Sequence, residues 1–160
     1  MQEQFTQAYT EHADALFRYA WFKTNDRELS KDLVQETLLS SWRYVQSDNA
    51  IVSFKSLFYK ILHNRIIDYY RKKKSTSLDM LLEKGIDFGN DPRENLIDEL
   101  DGKRAMKYIE ALPKEYRDAV FMRYVDDLSI SEIATITGTS NNTTTVRIHR
   151  GLEKLKKLIG

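Results

Sequence analysis

Apolar side chains recur every three or four positions along most of the chain, and almost no alternating apolar–polar run of strand length appears. Such spacing is typical of amphipathic helices that bury one face. Asp26 and Ser53 each stand before such a segment and can cap the N-terminus of a helix. The positions that share a side are Leu29, Leu33, Thr37 and Leu38 after Asp26, and Leu57, Phe58, Ile61 and Leu62 after Ser53. The pattern predicts an all-α protein.

The pattern changes after Pro113, where a short helix, a tight turn and a longer helix are predicted. Ser129, followed three residues later by Glu132, has the sequence of a capping box, and Gly138 suits the left-handed conformation that ends such a helix. A longer, basic helix is predicted from about residue 141 to 158. Its predicted apolar stripe consists of Val146, Leu152, Leu155 and Ile159. Together these elements predict a helix-turn-helix, whose second helix lies in the major groove of DNA.

The net charge of +1 over 160 residues hides strong local differences. Residues 60–74 contain six Lys or Arg and one acid, whereas residues 79–101 contain eight acids and two basic residues. Residues 143–160 are again basic, with five Lys or Arg and one Glu. Segments of opposite sign in one chain favour different partners for different segments.

The acidic segment also interrupts the helical pattern. Glycines and a proline occur within it, and the regular apolar spacing is lost. We therefore predict two small helical domains, residues 1–75 and 103–160, joined by an acidic linker over residues 76–102. The second domain would contain the helix-turn-helix.

The composition excludes several functional classes. The chain has no cysteine, so neither a disulfide nor a cysteine-ligated metal site can form. His12, His63 and His149 are far apart and make no metal-binding pair, and no glycine-rich phosphate loop or nucleophile motif is present. We therefore predict no enzyme activity and no cofactor. No signal-like N-terminus and no apolar run near the roughly 20 residues of a membrane span occur, which favours a cytoplasmic protein without membrane insertion.

Side chains able to read base edges cluster at the start of the longer helix. Asparagine can pair with adenine through two hydrogen bonds, and threonine can touch a thymine methyl group. Basic side chains further along would meet phosphates or a guanine. The candidate contacts are Asn141, Asn142, Thr143, Thr144, Thr145, Arg147, Arg150 and Lys154. The alternative, from this pattern alone, is a helical hairpin with a solvated basic face.

The predicted helix over residues 53–74 combines basic side chains with aromatic rings. Rings can stack on unpaired bases while cations follow the backbone of a single strand, and the polar loop over residues 46–52 could close over an extruded base. The candidates are Tyr59 and then Tyr70 for stacking, Asn49 and Asn64 for base edges, Lys60, Arg71 and Lys72 for phosphates, and Ser53 and His63 beside them. The alternative is that the tyrosines are core residues and the basic run is a solvated helix end.

Several segments, in this order and at this spacing, resemble the extracytoplasmic-function (ECF) sigma factors of bacterial RNA polymerase. Residues 32–37, DLVQET, followed by Trp42, resemble the second conserved region of that family. Residues 54–69 and the basic run after them resemble the helix that melts and reads the −10 element. Residues 112–150 resemble the fourth region. The resemblance covers nearly the whole chain.

The resemblance implies a polymerase-binding face on the helix over residues 32–42. In the family, this helix docks on the clamp helices of the largest polymerase subunit. Acidic and amide side chains would pair with basic clamp residues, and apolar ones would add contact or core packing. The implied residues are Asp32, Gln35 and Glu36 in the first group and Leu33, Leu39 and Trp42 in the second.

The resemblance also implies how the chain meets DNA. The second domain would bind the −35 element as duplex, where Ser140 joins the candidate contacts, and the first domain would capture the melted −10 strand. The linker would thread toward the active centre of the polymerase or act as a plain tether. Core RNA polymerase and promoter DNA are the implied partners, and an anti-sigma factor is a further candidate.

The chain departs from the family pattern at some positions. Thr145 stands where the family usually has a basic residue, and Asn141 and Asn142 stand where it has an apolar residue and a glycine. Val146 stands where a small polar residue is common and Gly151 where alanine is common, and Arg65 and Ile66 replace smaller or apolar residues. Two other functions stay open at this point. A helix-turn-helix regulator that does not bind polymerase would leave the helix over residues 32–42 unexplained, and a helical RNA-binding module would bind RNA in place of duplex DNA.

Overall fold

The computed structural model describes residues 1–51, 53–76 and 103–159. Within these ranges the chain forms seven helices and no strand, which confirms the all-α prediction. The helices are α1 (Gln2–Thr24), α2 (Arg27–Gln46), α3 (Phe54–Thr76), α4 (Lys103–Glu110), α5 (Lys114–Tyr124), α6 (Ile130–Thr137) and α7 (Asn141–Ile159). The linker predicted over residues 76–102 lies outside the described residues apart from Thr76. None of the described helices is long and apolar enough to cross a membrane.

The described helices divide into two compact units, α1–α3 and α4–α7. In the first unit each helix packs against the other two. Leu16 and Tyr19 of α1 and Phe58, Tyr59 and Leu62 of α3 are completely buried at its centre. Burying a large apolar side chain contributes about 1.5–3 kcal/mol relative to leaving it exposed. These side chains therefore fix which face of α3 is turned inward.

Capping residues set the beginnings of α2 and α3 as the sequence predicts. The Asp26 carboxylate accepts a hydrogen bond from the Leu29 backbone N–H at 3.1 Å. The Ser53 hydroxyl accepts one from the Ser56 backbone N–H at 3.3 Å. Between α1 and α2 the chain reverses through Asn25, whose φ of 56° lies in the left-handed region that asparagine tolerates.

The second unit contains the predicted helix-turn-helix, formed by α6, a short turn and α7. The Ser129 hydroxyl accepts from the Glu132 N–H at 3.0 Å, and the Glu132 carboxylate accepts from the Ser129 N–H at 3.0 Å, which completes the capping box. Gly138 ends α6 with φ 70° and ψ 31°. Because this conformation is strained for residues with a Cβ, glycine allows the tight turn into α7.

The buried stripe of α7 differs from the predicted one. Its inward positions are Thr144, Ile148 and Gly151, which are buried, with Leu152 and Leu155 half-buried. Val146 and Ile159 were predicted in this stripe, but they are 36% and 59% exposed. The prediction for Val146 is wrong because the face containing Gly151 packs on α5. Val146 is two positions from both Thr144 and Ile148, about 200° around the helix axis.

Gly151 permits the close approach of α7 to α5. A Cβ built on this glycine would lie 2.5 Å from Cγ2 of Val120 and 3.3 Å from Cβ of Tyr116. No real side chain fits at such a distance unless its neighbours move. A glycine at this position is therefore matched to the valine opposite it.

We expect Gly151→Ala to destabilise the second unit by up to about 2 kcal/mol. Alanine is the better helix former by about 1 kcal/mol, but overpacking costs about 1–3 kcal/mol, and a β-branched valine in a helix has little rotamer freedom with which to yield. The measurement is thermal unfolding of the full chain by circular dichroism. In a Val120→Ala background the same change should cost less, because the nearest atom has been removed. A melting temperature that is raised in the native background, or an equal change in both backgrounds, would contradict the packing of Gly151 against Val120.

Candidate polymerase and nucleic-acid interfaces

One face of α2 is exposed and combines acidic, polar and apolar side chains. Asp32, Gln35, Glu36 and Leu39 lie on it at spacings of three and four residues, and all four are exposed. Leu39 is 59% exposed, which is high for a leucine in a packed unit. The face can offer carboxylates to a basic partner and an aliphatic side chain to an apolar one.

The other two residues predicted for polymerase contact lie further inside the first unit. Leu33 is 5% exposed and belongs to the core. Trp42 is half-buried, and its ring lies against that of Phe5 in α1, with centroids 5.0 Å apart. The resemblance allowed either polymerase contact or core packing for these apolar residues, and Leu33 is a core residue in the structure.

An ion pair links this face of α2 to α3. Nη1 of Arg65 lies 3.1 Å from Oε2 of Glu36, and Nη2 of the same guanidinium donates to the hydroxyl of Ser40. Half-exposed pairs of this kind contribute up to about 1 kcal/mol to stability. The sequence showed only that Arg65 departs from the family pattern. Asp32, in contrast, forms no ion pair within the described part of the chain.

The exposed face of α3 is basic and contains one amide. Lys60, Asn64 and Arg71 are exposed on it at spacings of four and seven residues, together with Lys72 and Lys74. Asp68 is exposed beside them, with its Oδ1 4.0 Å from Nη1 of Arg71. The amide of Asn64 makes no hydrogen bond within the described ranges, so it is available to a base edge. Positive side chains along a helix with an accessible amide are suited to hold a nucleic-acid strand.

The aromatic residues predicted to stack on bases occupy the inside of the unit. Tyr59 is completely buried, and its ring is 5.8 Å from that of Tyr19. His63 is 8% exposed, with Nδ1 2.7 Å from the Tyr19 hydroxyl. Tyr70 is half-buried and donates its hydroxyl to the backbone carbonyl of Lys23 at 2.7 Å. The alternative interpretation of these tyrosines as core residues is therefore correct for Tyr59, and neither it nor His63 is accessible to DNA in this structure.

The loop between α2 and α3 brings two more predicted residues beside this face. Asn49 is exposed, but its side-chain Nδ2 donates to the backbone carbonyl of Tyr44 at 3.0 Å. Ser53 is half-buried, and its hydroxyl is occupied by capping α3. Asn49 retains its side-chain oxygen for a ligand, whereas Ser53 serves mainly to start the helix.

The exposed face of α7 contains amide, hydroxyl and basic side chains. Asn142, Thr143, Arg150 and Lys154 are exposed, and Arg147 is half-buried. Within the described residues the amide of Asn142 and the guanidinium groups of Arg147 and Arg150 have no hydrogen-bond or ion-pair partner. The Lys154 ammonium lies 5.9 Å from the centroid of the Tyr116 ring. This is the chemistry that reads a base edge at the start of a helix and holds phosphates further along it.

Other predicted contacts of α7 have structural roles. Thr144 is 1% exposed and donates its hydroxyl to the Ser140 carbonyl at 2.9 Å, so it cannot reach DNA. The Ser140 hydroxyl accepts from the Thr143 N–H at 3.0 Å and caps the helix. Asn141 donates Nδ2 to the Ser131 hydroxyl at 3.3 Å, and half-buried Thr145 donates to the Asn141 carbonyl at 2.9 Å. The freely available reading group at this end of α7 is therefore Asn142.

Two family models match the two units. Sigma-70 region 2 matches residues 8–76, and Sigma-70, region 4 matches residues 103–155. The first range contains most of α1 and all of α2 and α3, and the second contains α4–α6 and most of α7.

Characterised relatives match over nearly the whole chain. RNA polymerase sigma factor SigV of Bacillus subtilis is 29% identical over 92% of this chain and 86% of its own length. ECF RNA polymerase sigma factor SigL of Mycobacterium tuberculosis is 30% identical over 92% of this chain and 84% of its own length. The chain therefore belongs to the ECF sigma factors of bacterial RNA polymerase. Members of this family direct the polymerase to promoters, which is a regulatory and not a catalytic role. The alternative function, a helix-turn-helix regulator that does not bind polymerase, is therefore not favoured.

Solved structures share the fold. The sigma factor RpoE of Bartonella quintana, solved with the anti-sigma factor NepR, superimposes with a TM-score of 0.70 at 20% identity, over 98% of this chain and 97% of its own. CnrH, solved with the cytosolic domain of CnrY, gives a TM-score of 0.71 at 21% identity, over 99% of this chain and 89% of its own. The likeness supports the two-unit helical architecture.

We expect Tyr59→Ala to lower the free energy of unfolding by about 3–5 kcal/mol, as for other large buried aromatic side chains. Asn64→Ala on the exposed face of the same helix is the matched control, and it should change stability by no more than about 0.5 kcal/mol. Urea unfolding of the full chain measures both. If Tyr59→Ala kept the native unfolding midpoint, Tyr59 would not be the core residue described above.

Proposed function

We propose that the two units divide promoter recognition between them. The first unit binds core polymerase through the exposed face of α2 and the −10 element through the exposed face of α3. The second unit binds the −35 element through α7. The observation that carries this assignment is that each of these three helices buries one side in its own unit and exposes a side whose chemistry suits the partner. Since polymerase and promoter act together in the cytoplasm, we place the chain there too.

The −10 role rests on the accessible side chains of α3. Lys60, Arg71 and Lys72 would hold phosphates of the open strand, and Asn64 would read a base, with Asn49 in the neighbouring loop. Unstacking a base costs a few kcal/mol, so the open strand has to be bound better than the duplex. With Tyr59 in the core, the contacts that favour the open strand over the duplex in our proposal are those of Asn64 and Asn49 to unpaired base edges, while the cations of the α3 face add affinity for the backbone of either form.

The −35 role rests on the free amide of Asn142 and on the cations that follow it in α7. In a helix-turn-helix the N-terminal residues of the second helix contact base edges, and Asn142 is the second residue of α7. A bidentate asparagine–adenine pair would specify one base, while Arg147, Arg150 and Lys154 would hold the backbone or a guanine.

We also propose an anti-sigma factor as a partner of this chain. Support comes from the structural relative RpoE, which is in complex with the anti-sigma factor NepR. Such a protein would compete with polymerase if it covered the exposed face of α2.

Charge reversal on α2 tests the polymerase assignment. The double variant Asp32→Lys/Glu36→Lys should bind core polymerase more weakly than the native chain, and the loss should shrink as salt screens the charges. Pull-down or fluorescence titration with core polymerase at low and high salt measures this. The control is Glu3→Lys/Asp14→Lys, which makes the same charge change at exposed positions of α1. Equal affinities of the two double variants would remove α2 as the docking helix.

Substitutions in α7 test the base-reading assignment. Asn142→Ala should change sequence preference and cost about 1–3 kcal/mol on the preferred −35 site. Lys154→Ala should weaken all sequences about equally, because a phosphate contact carries no base information. Competitive binding of holoenzyme to a pool of −35 duplexes separates the two effects. If both variants weakened all sequences alike, Asn142 would not read a base.

A further inference from the structure

Val146 is an apolar residue on the polar face of α7. It is 36% exposed, and it lies four positions after Asn142 and four before Arg150, so the three share one side of the helix. Thr143 and His149, three positions to either side, are also exposed. The neighbours of Val146 on this side are therefore polar or basic.

The buried stripe of α7 does not account for this valine. That stripe is formed by Thr144, Ile148 and Gly151, and Val146 lies outside it. A β-branched side chain also lowers helix propensity because it loses χ1 freedom. An exposed polar or straight-chain residue would suit the isolated helix better, and an apolar side chain between Asn142 and Arg150 is placed to meet an apolar group wherever those two residues meet DNA.

We propose that Val146 selects a thymine in the −35 element by apolar contact with its C5 methyl group. The inference rests on the proposed function, in which this face of α7 enters the major groove. Of the groups that base pairs display there, the thymine methyl is the apolar one, and it distinguishes a T·A pair from the others. Val146 would thus add a second point of base selection to the one supplied by Asn142.

The position of Val146 limits where the thymine can lie. Four residues of α-helix advance about 6 Å along the axis, and successive base pairs are about 3.4 Å apart. The thymine selected by Val146 should therefore stand within about two base pairs of the adenine read by Asn142, on either strand.

Removal of single methyl groups from the DNA tests the proposal. Holoenzyme made from the full chain and core polymerase is first used to select preferred sequences from promoters with a randomised −35 segment. Each thymine of the selected element is then replaced, one at a time, by deoxyuridine, which differs from it by the methyl group alone. At one thymine, near the base pair that depends on Asn142, we expect about a four-fold loss of affinity, the factor expected for one buried methyl group.

The variant Val146→Ala should bind the thymine-containing promoter about as weakly as the native chain binds the deoxyuridine one, and it should no longer distinguish the two. Leu158→Ala is the control, since Leu158 is an exposed aliphatic residue, 46% exposed, near the other end of α7. This control should keep the native ratio between thymine and deoxyuridine.

Two results would overturn the proposal in different ways. In the first, a −35 preference is selected and depends on Asn142, but each thymine-to-deoxyuridine change affects the native chain and Val146→Ala equally. Val146 would then have no role in selection, while the proposed function would stand. If no −35 preference emerged and Asn142→Ala changed nothing, the base-reading role of α7 would fail as a whole.

Discussion

The packing of α7 on α5 decides which side chains of the second unit can meet DNA. The two helices come so close at Gly151 that a single added carbon would overlap Val120. A helix held this tightly along one side has a fixed rotation about its axis, because any turn would bring a larger residue into the same gap. Thr144 and Ile148 are therefore inside, and Asn142, Val146 and Arg150 are outside. Apolar burial therefore decides which residues of α7 face inward, and the side chains proposed to contact bases lie on the face that remains exposed.

The same constraint operates in the first unit. Phe58, Tyr59, Leu62 and Ile66 are buried on one side of α3. The exposed side carries mainly lysines and arginine, together with Asn64, Asp68 and Ile67. The Tyr19 hydroxyl and the His63 ring satisfy each other within this core, which lets two polar groups be buried without a large cost. The pair between Arg65 and Glu36 adds a link between the helix proposed to hold polymerase and the helix proposed to hold the −10 strand. Since the carboxylate of Glu36 is already paired, Asp32 is the more available acid on that face.

Much of this architecture could be predicted from the sequence because it depends on local signals. Asp26, Ser129 and Gly138 identify helix ends through their own hydrogen bonds and dihedral angles, and helical spacing identifies the helices between them. The predictions that failed concern rotation about a helix axis. Tyr59 follows Phe58, and a periodicity of 3.6 cannot decide whether one or both are buried. Val146 was assigned to the buried stripe because its side chain is apolar. The face of α7 that is buried is instead the one containing Gly151, which has no side chain and so gives no apolar signal in the sequence. The Arg65–Glu36 pair joins two helices far apart in sequence, so no local pattern could reveal it.

Mapping of transcription start sites in vitro tests most directly whether this chain specifies a promoter through exposed faces of both its units. Core polymerase would be supplied with the full chain on fragmented genomic DNA, and the 5′ ends of the transcripts would be sequenced. We expect a defined set of start sites, absent with core polymerase alone, that share a −10 and a −35 element at constant spacing. Start sites that share only one element, or that match those of core polymerase alone, would contradict it.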